Sequence, residues 1–245
     1  MTYYTKLLTA VVGSTLIVTS AQAANVSTGV DIKSSKVYHG ITYNDGVVIQ
    51  PWVDVNKNGF GVNVWASFDI DDYDGYLEKN KFSEVDLSVY YCSSLAGFAW
   101  CATYAEYLFP HVANAEGSDA QDGVREIVFS IDRDLFAGLR SQAKFHYDVD
   151  GINDLYARLL LAYDYKINEA LSATVSASAA YAGDDMALTG EGGFHDYDIS
   201  FSVNWALNEN ISIGANIHSV GSLDEDVLPD QDTDIYGGLF LTATL

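Results

Sequence analysis

Residues 199–220 read ISFSVNWALNENISIGANIHSV. Ile199, Phe201, Val203 and Trp205 alternate with Ser200, Ser202 and Asn204. Past LNEN, Ile211, Ile213, Ala215 and Ile217 alternate with Ser212, Gly214, Asn216 and His218. Successive side chains of a strand point to opposite faces, so each stretch predicts a strand with one apolar and one polar face. The rhythm recurs along the chain. It predicts twelve strands, near residues 25–37, 46–56, 59–69, 83–93, 97–109, 123–132, 138–148, 153–166, 170–182, 195–207, 210–221 and 234–245.

The connections alternate as well. NKNG (56–59), SLAG (94–97), RDLFAG (133–138), KINEA (166–170) and LNEN (207–210) are short. The links at 39–46, 69–81, 110–123, 148–153, 182–196 and 221–234 are mostly longer and more acidic. With twelve strands, every short turn lies at one end and every link of the second group at the other. That pattern predicts an all-β fold, an antiparallel up-and-down transmembrane β-barrel, with short periplasmic turns and an even strand count. A soluble sandwich or barrel would show the same alternation, burying its apolar face and wetting the other. Strands of membrane-spanning length, about 9–11 residues, favour the membrane barrel. Closure then matters, because lipid cannot satisfy the polar groups of an open sheet edge. Aromatic residues cluster near strand ends: Phe60, Tyr91, Phe98, Tyr163, Tyr165 and Trp205 near the short turns, and Phe68, Tyr104, Tyr147, Tyr181 and Tyr197 near the links. Two girdles at the lipid interfaces are expected from this.

The first 23 residues have another pattern. Lys6 precedes an apolar run from Leu7 to Val18, and AQA at 21–23 offers small residues for cleavage. This reads as a secretory signal peptide at 1–23, with the barrel occupying 24–245 as one domain. The mature chain would carry 11 Lys and Arg against 34 Asp and Glu, a net charge of −23. Such acidity excludes nucleic acid as the expected partner. The charge is also sorted: 21 acids fall in the six links, against Lys79 and Lys81 as their only bases. An acidic outer rim should attract cations and divalent ions and could bridge through them to lipopolysaccharide.

The polar face carries the candidate chemistry. Asp31, Lys33, Asp54, Glu84, Asp86, Glu126, Arg140, Lys144, His146, Arg158, Asp164, Asp198 and His218 share it. In a barrel these line the lumen, where they either set selectivity or pair across a plugged centre. Cys92 and Cys101 flank SLAG symmetrically. With Ala96 and Gly97 as the turn residues, the two cysteines oppose each other and are candidates for a disulfide in an oxidising periplasm. No cofactor or metal centre is expected. DVNKNG (54–59) imitates the start of a calcium loop, but its twelfth position is Trp65 rather than Glu, and a hairpin explains it better. Asp230, Asp232 and Asp234 read as a solvated acidic loop. In HSVGS (218–222), His218 and Ser219 would face opposite sides of the wall, so they form no nucleophile–base pair and no enzyme is expected.

The N-terminal third resembles the TorF-like porins of bacterial outer membranes. The resemblance is carried by KVYHGITYNDGVVIQP (36–51), NGFGVNVWAS (58–67), Glu84 and Asp86 in FSEVDLSVYY, and YAEYLFP (104–110), and is weaker after about residue 130. It implies a signal-bearing β-barrel of the porin class in outer-membrane lipid. Two positions depart from that family: His39 stands where an Arg is usual before the glycine, and the chain ends in Leu245 rather than an aromatic residue. Together these readings predict an outer-membrane channel for small, cationic solutes. The alternatives are a non-conducting structural or adhesion barrel, and a secreted soluble ligand-binding barrel.

Overall fold

The computed structural model describes residues 24–73, 75, 77–112 and 123–245. The segment read as a signal peptide lies outside these residues, as does most of the link at 110–123. Among the described residues there are fourteen strands: β1 (Asn25–Lys33), β2 (Lys36–Tyr38), β3 (Ile41–Asn44), β4 (Val48–Lys57), β5 (Phe60–Asp69), β6 (Lys81–Leu95), β7 (Phe98–Leu108), β8 (Val124–Phe136), β9 (Leu139–Asp148), β10 (Leu155–Lys166), β11 (Leu171–Ala182), β12 (Gly193–Ala206), β13 (Ile211–Ser222) and β14 (Ile235–Thr244). Twelve of them form one closed antiparallel barrel, in which β1 pairs with both β14 and β4. β2 and β3 form a separate two-stranded hairpin.

The two faces meet different surroundings. Leu159, Leu161, Val175, Ile199, Phe201, Ile217 and Leu239 are exposed on the outside. Asp54, Ser67, Glu84, Glu126, Ser130 and His146 are buried inside. A closed wall, apolar outside and polar inside, is stable only where lipid surrounds it, which makes this a barrel of the bacterial outer membrane. Phe60, Tyr91, Phe98, Tyr163, Tyr165 and Trp205 lie on the exposed surface toward the short turns. Tyr104, Tyr147 and Tyr181 do so toward the other end.

Turn chemistry sets the register. Asn58–Gly59, Ala96–Gly97 and Ala137–Gly138 all have positive φ at both residues, as a two-residue I′ hairpin turn requires. They place Lys57 opposite Phe60, Leu95 opposite Phe98 and Phe136 opposite Leu139. Residues 166–171 and 206–211 use a longer turn of a common design. Asn168 Oδ1 accepts from the amides of Ala170 and Leu171, and Asn208 Oδ1 accepts from those of Asn210 and Ile211.

One expectation is corrected. The first strand was expected to run over 25–37, with 39–46 as an outer link. Instead it ends at Lys33, and residues 34–47 turn inward, with β2 and β3 inside the barrel. The reason lies in the same alternation: a short ribbon standing in a polar lumen has period 2 just as the wall does.

Candidate functional site

The inward hairpin builds the site. Its tip is His39–Gly40, where both residues have positive φ. Its base is tied to the wall on both sides. Ser35 Oγ donates to the Asn44 carbonyl at 2.6 Å and lies 2.9 Å from Thr233 Oγ1. Asn44 Nδ2 donates to Asp69 at 2.7 Å. Lys36 pairs with Glu84 and lies over the rings of Tyr43 and Trp65, at 5.4 and 5.7 Å. A buried ammonium of this kind needs both its carboxylate and its aromatic surroundings to offset lost hydration.

The tip reaches the far wall. The His39 ring is stacked between Tyr38 and Tyr156, with centroids 3.8 and 3.6 Å away, and meets His146 edge-on at 4.7 Å. A Cβ added to Gly40 would lie 2.5 Å from Asp196 Cβ and 2.9 Å from Leu228, so only glycine allows this approach at a φ of +73°. Leu228 and Val227, in the link after β13, are both buried, Leu228 against Gly40 and Val227 in a cluster with Ala182, Ala187 and Tyr156. The lumen is therefore narrowed toward the outer end. One cavity of about 350 Å³ lies beside the hairpin, lined among others by Asp31, Glu84, Asp86, Tyr107 and Lys144. A smaller one of about 100 Å³ lies under its tip, between His39, Lys144, Tyr156 and Arg158. Toward the short turns the lumen opens into a vestibule of about 760 Å³, lined by Asp132, Arg140, Asp164 and Thr174 among others.

Within this frame the acids of the lumen are held by neighbours. Asp54 accepts from the Tyr90 hydroxyl at 2.7 Å and from Asn56 at 2.8 Å. Tyr90 can lie there because Gly61 leaves room beneath its ring. Asp31 accepts from Trp52 Nε1 at 3.1 Å. Glu126 is shared by the Tyr107 hydroxyl and His146 Nδ1, both at 2.9 Å. Asp198 faces His218 Nδ1 at 3.0 Å, and His218 stacks on Tyr236 at 4.6 Å. Asp164 accepts from Arg140 Nε at 2.9 Å and from Thr174 at 2.6 Å. Asp86 lines the larger cavity and keeps a buried Oδ1 without a partner. Lys33 lies 5.9 Å from the ring of Tyr236. Lys144 and Arg158 stand directly opposite each other on β9 and β10. Cys92 and Cys101 are paired across β6 and β7 and joined in a disulfide facing the vestibule.

The residues that sequence reasoning missed belong to the hairpin and its seat: Lys36, Tyr38, His39, Tyr107 and Tyr156. The available signal was His39–Gly40 between two short alternating runs, the mark of a tight hairpin. Ser219, beside His218, lies opposite Ile199 and Ile235 on the outer face, so the pair HS makes no catalytic dyad. Among the described residues no group of three or more His, Cys, Asp or Glu side chains is placed to hold a metal ion.

The rim is less uniformly free than its acid count suggests. Asp69, Asp148 and Asp196 are buried. Asp148 Oδ1 gathers the amides of Asp150, Ile152 and Asn153, forming its loop. Arg125, at the end of β8, pairs with Glu106 and Asp150. Lys79 donates to Asp71 at 2.6 Å and so lowers the pKa of that exposed carboxyl. Asp184, Asp185, Glu191, Asp224, Glu225 and Asp226 remain exposed.

No protein-family description and no curated protein sequence matches the chain. Solved structures do. An outer-membrane channel from Pseudomonas putida F1 superposes with a TM-score of 0.57 at 8% identity, over 92% of this chain and 97% of that one. The NanC porin gives 0.55 at 11% identity, over 91% and 100%. The KdgM porin in complex with disordered oligogalacturonate gives 0.55 at 6% identity, over 90% and 99%. At such identities the likeness is one of fold: the chain has the architecture of porin-like outer-membrane barrels.

Proposed function

We propose that this barrel is a porin-like channel for small polar solutes, narrowed by the hairpin at 34–47 and weakly favouring cations. The observation that carries the reading is a polar lumen leading from a wide vestibule to cavities beside an inward hairpin. A barrel needed only as a rigid wall has no use for such a vestibule. The neighbouring KdgM porin was solved with an acidic oligosaccharide. In this chain residues 34–47 cross the lumen, so the proposed cargo is small. The cation preference rests on the exposed acids of the links, whose field gathers cations at the outer mouth. The same acids are proposed to take divalent ions and to contact lipopolysaccharide through them. The apolar belt lies in outer-membrane lipid. No catalytic activity is proposed. The stretch that resembles the TorF-like porins at 36–51 covers both strands of the hairpin. A second reading, a non-conducting structural barrel, is favoured by the buried packing of Leu228 and Gly40 at the mouth. Single-channel recording of the refolded chain in planar bilayers decides between them: discrete conductance steps support the channel, and a silent membrane supports the wall.

A further inference from the structure

The acids and bases of the lumen are not balanced locally. Each lumen carboxylate described above, Asp86 apart, has a donor at hydrogen-bond distance. Lys144 and Arg158 have no carboxylate within ion-pairing distance among the described residues. Register explains why. Lys144 is flanked across the sheet by Ser130 and Arg158, and Arg158 by Lys144 and Ala180. No acid stands in that row. Like charges directly opposite on adjacent strands destabilise a sheet. Two carboxylates do line the same small cavity, but both are engaged elsewhere: Asp198 with His218 at 3.0 Å, and Asp196 with Tyr156 at 2.8 Å and His195 at 2.9 Å. A third group points the same way. His39 Nε2, which lines this cavity, is buried and without a partner.

We propose that the Lys144–Arg158 pair and His39 form a binding subsite for a small carboxylate in the cavity under the hairpin tip. A guanidinium presents a planar fork that fits the two oxygens of a carboxylate, and an adjacent ammonium adds a point charge. An anion between the two cations would replace their repulsion with two attractions. The cavity of about 100 Å³ has room for a carboxylate head, and the larger cavity, which also touches Lys144, can take the remainder of the solute. Tyr38 and Tyr156 supply flat apolar walls and exclude anions that carry a full hydration shell. The acidic rim does not contradict this. Its field is long-ranged and screened by salt, whereas the subsite acts by contact. The subsite deepens the channel reading, on which its role in transport rests, but binding itself does not require conduction.

The test is therefore a binding measurement on the detergent-folded barrel, separate from any current. Malonate is titrated by calorimetry in a low-salt zwitterionic buffer, with phosphate as a second probe. The wild type should bind one malonate per barrel. Lys144→Gln and Arg158→Gln should each weaken it about tenfold or more, as expected for losing one charge-assisted contact. Arg140→Gln removes a cation of the vestibule, outside both cavities, and should leave binding unchanged. Without malonate, Lys144→Gln should resist urea at least as well as the wild type, because a repulsion has been removed. No malonate binding to the wild type would overturn the proposal. So would equal weakening by Arg140→Gln, which would signal diffuse charge, or tighter binding of phosphate than of malonate, which would signal another ligand class. A conducting channel that binds no malonate sinks the subsite alone. A silent barrel that binds it sinks the channel reading and leaves the subsite standing.

Discussion

Phe201 and Ser202 are consecutive residues in two different solvents. Phe201 is 46% exposed on the lipid face, while Ser202 lies inward between Thr174 and Asn216. Placing an arginine at Phe201 should cost about 2–4 kcal/mol if the position is near the bilayer midplane, and less toward the interface. Ser202→Arg should cost less and should alter conduction instead. Urea titrations in lipid vesicles test this, and a more damaging change at Ser202 would invert the facing. The disulfide gives a second expectation at this scale. Cys92 and Cys101 close a short loop, so Cys101→Ser should lower stability by about 2–3 kcal/mol at most. The denatured, unreduced protein should show no titratable thiol; two thiols would contradict the bond. Individual side chains on the wall were legible in the sequence because period 2 fixes their face. Asp31, Lys33, Asp54, Glu84, Asp86, Glu126, Arg140, Lys144, His146, Arg158, Asp164, Asp198 and His218 all lie on the inner face of their strands. Their partners were not legible, because Glu126 meets His146 and Asp198 meets His218 only through the register of neighbouring strands.

The hairpin at 34–47 is the element that gives this barrel its constriction. Lys36, at its base, uses Glu84 as counter-ion, and Gly40, at its tip, permits contact with β12 and Leu228. Gly40→Val should push the tip off the wall. It should lower stability by about 1–3 kcal/mol, the usual cost of overpacking, and should enlarge the unit conductance. An unchanged conductance in a folded variant would show that the tip does not limit flow. Lys36→Gln should act in the same direction by releasing the base. The wall strands could be placed from alternation and turn residues alone, since Asn58–Gly59 and Ala96–Gly97 each fix a hairpin and its register. The hairpin could not be placed this way. His39–Gly40 marks a tight turn, but nothing local says whether the short runs beside it join the wall or pair only with each other. What distinguishes it is that β2 and β3 pair with each other and not with the wall, and that is a property of the sheet.

The whole molecule is asymmetric in charge along its axis. The links at one end expose Asp71, Asp72, Asp184, Asp185, Asp224 and Asp226, whereas the short turns at the other mix acids with Lys57, Arg133 and Lys166. The rim field reaches about 10 Å at 0.1 M salt and shrinks as salt rises. The sorting of charge was legible because it follows from sequence position. Its effective size was not, because Asp69, Asp148 and Asp196 are buried to build loops. Solutes are proposed to pass through this lumen past an acidic mouth. The reversal potential of single channels in planar bilayers under a potassium chloride gradient, repeated at rising ionic strength, tests such passage. Small discrete steps are expected, with a weak cation preference at low salt that fades as salt increases. Steps with anion preference at low salt would contradict the rim argument, and a membrane that stays silent would contradict the channel itself.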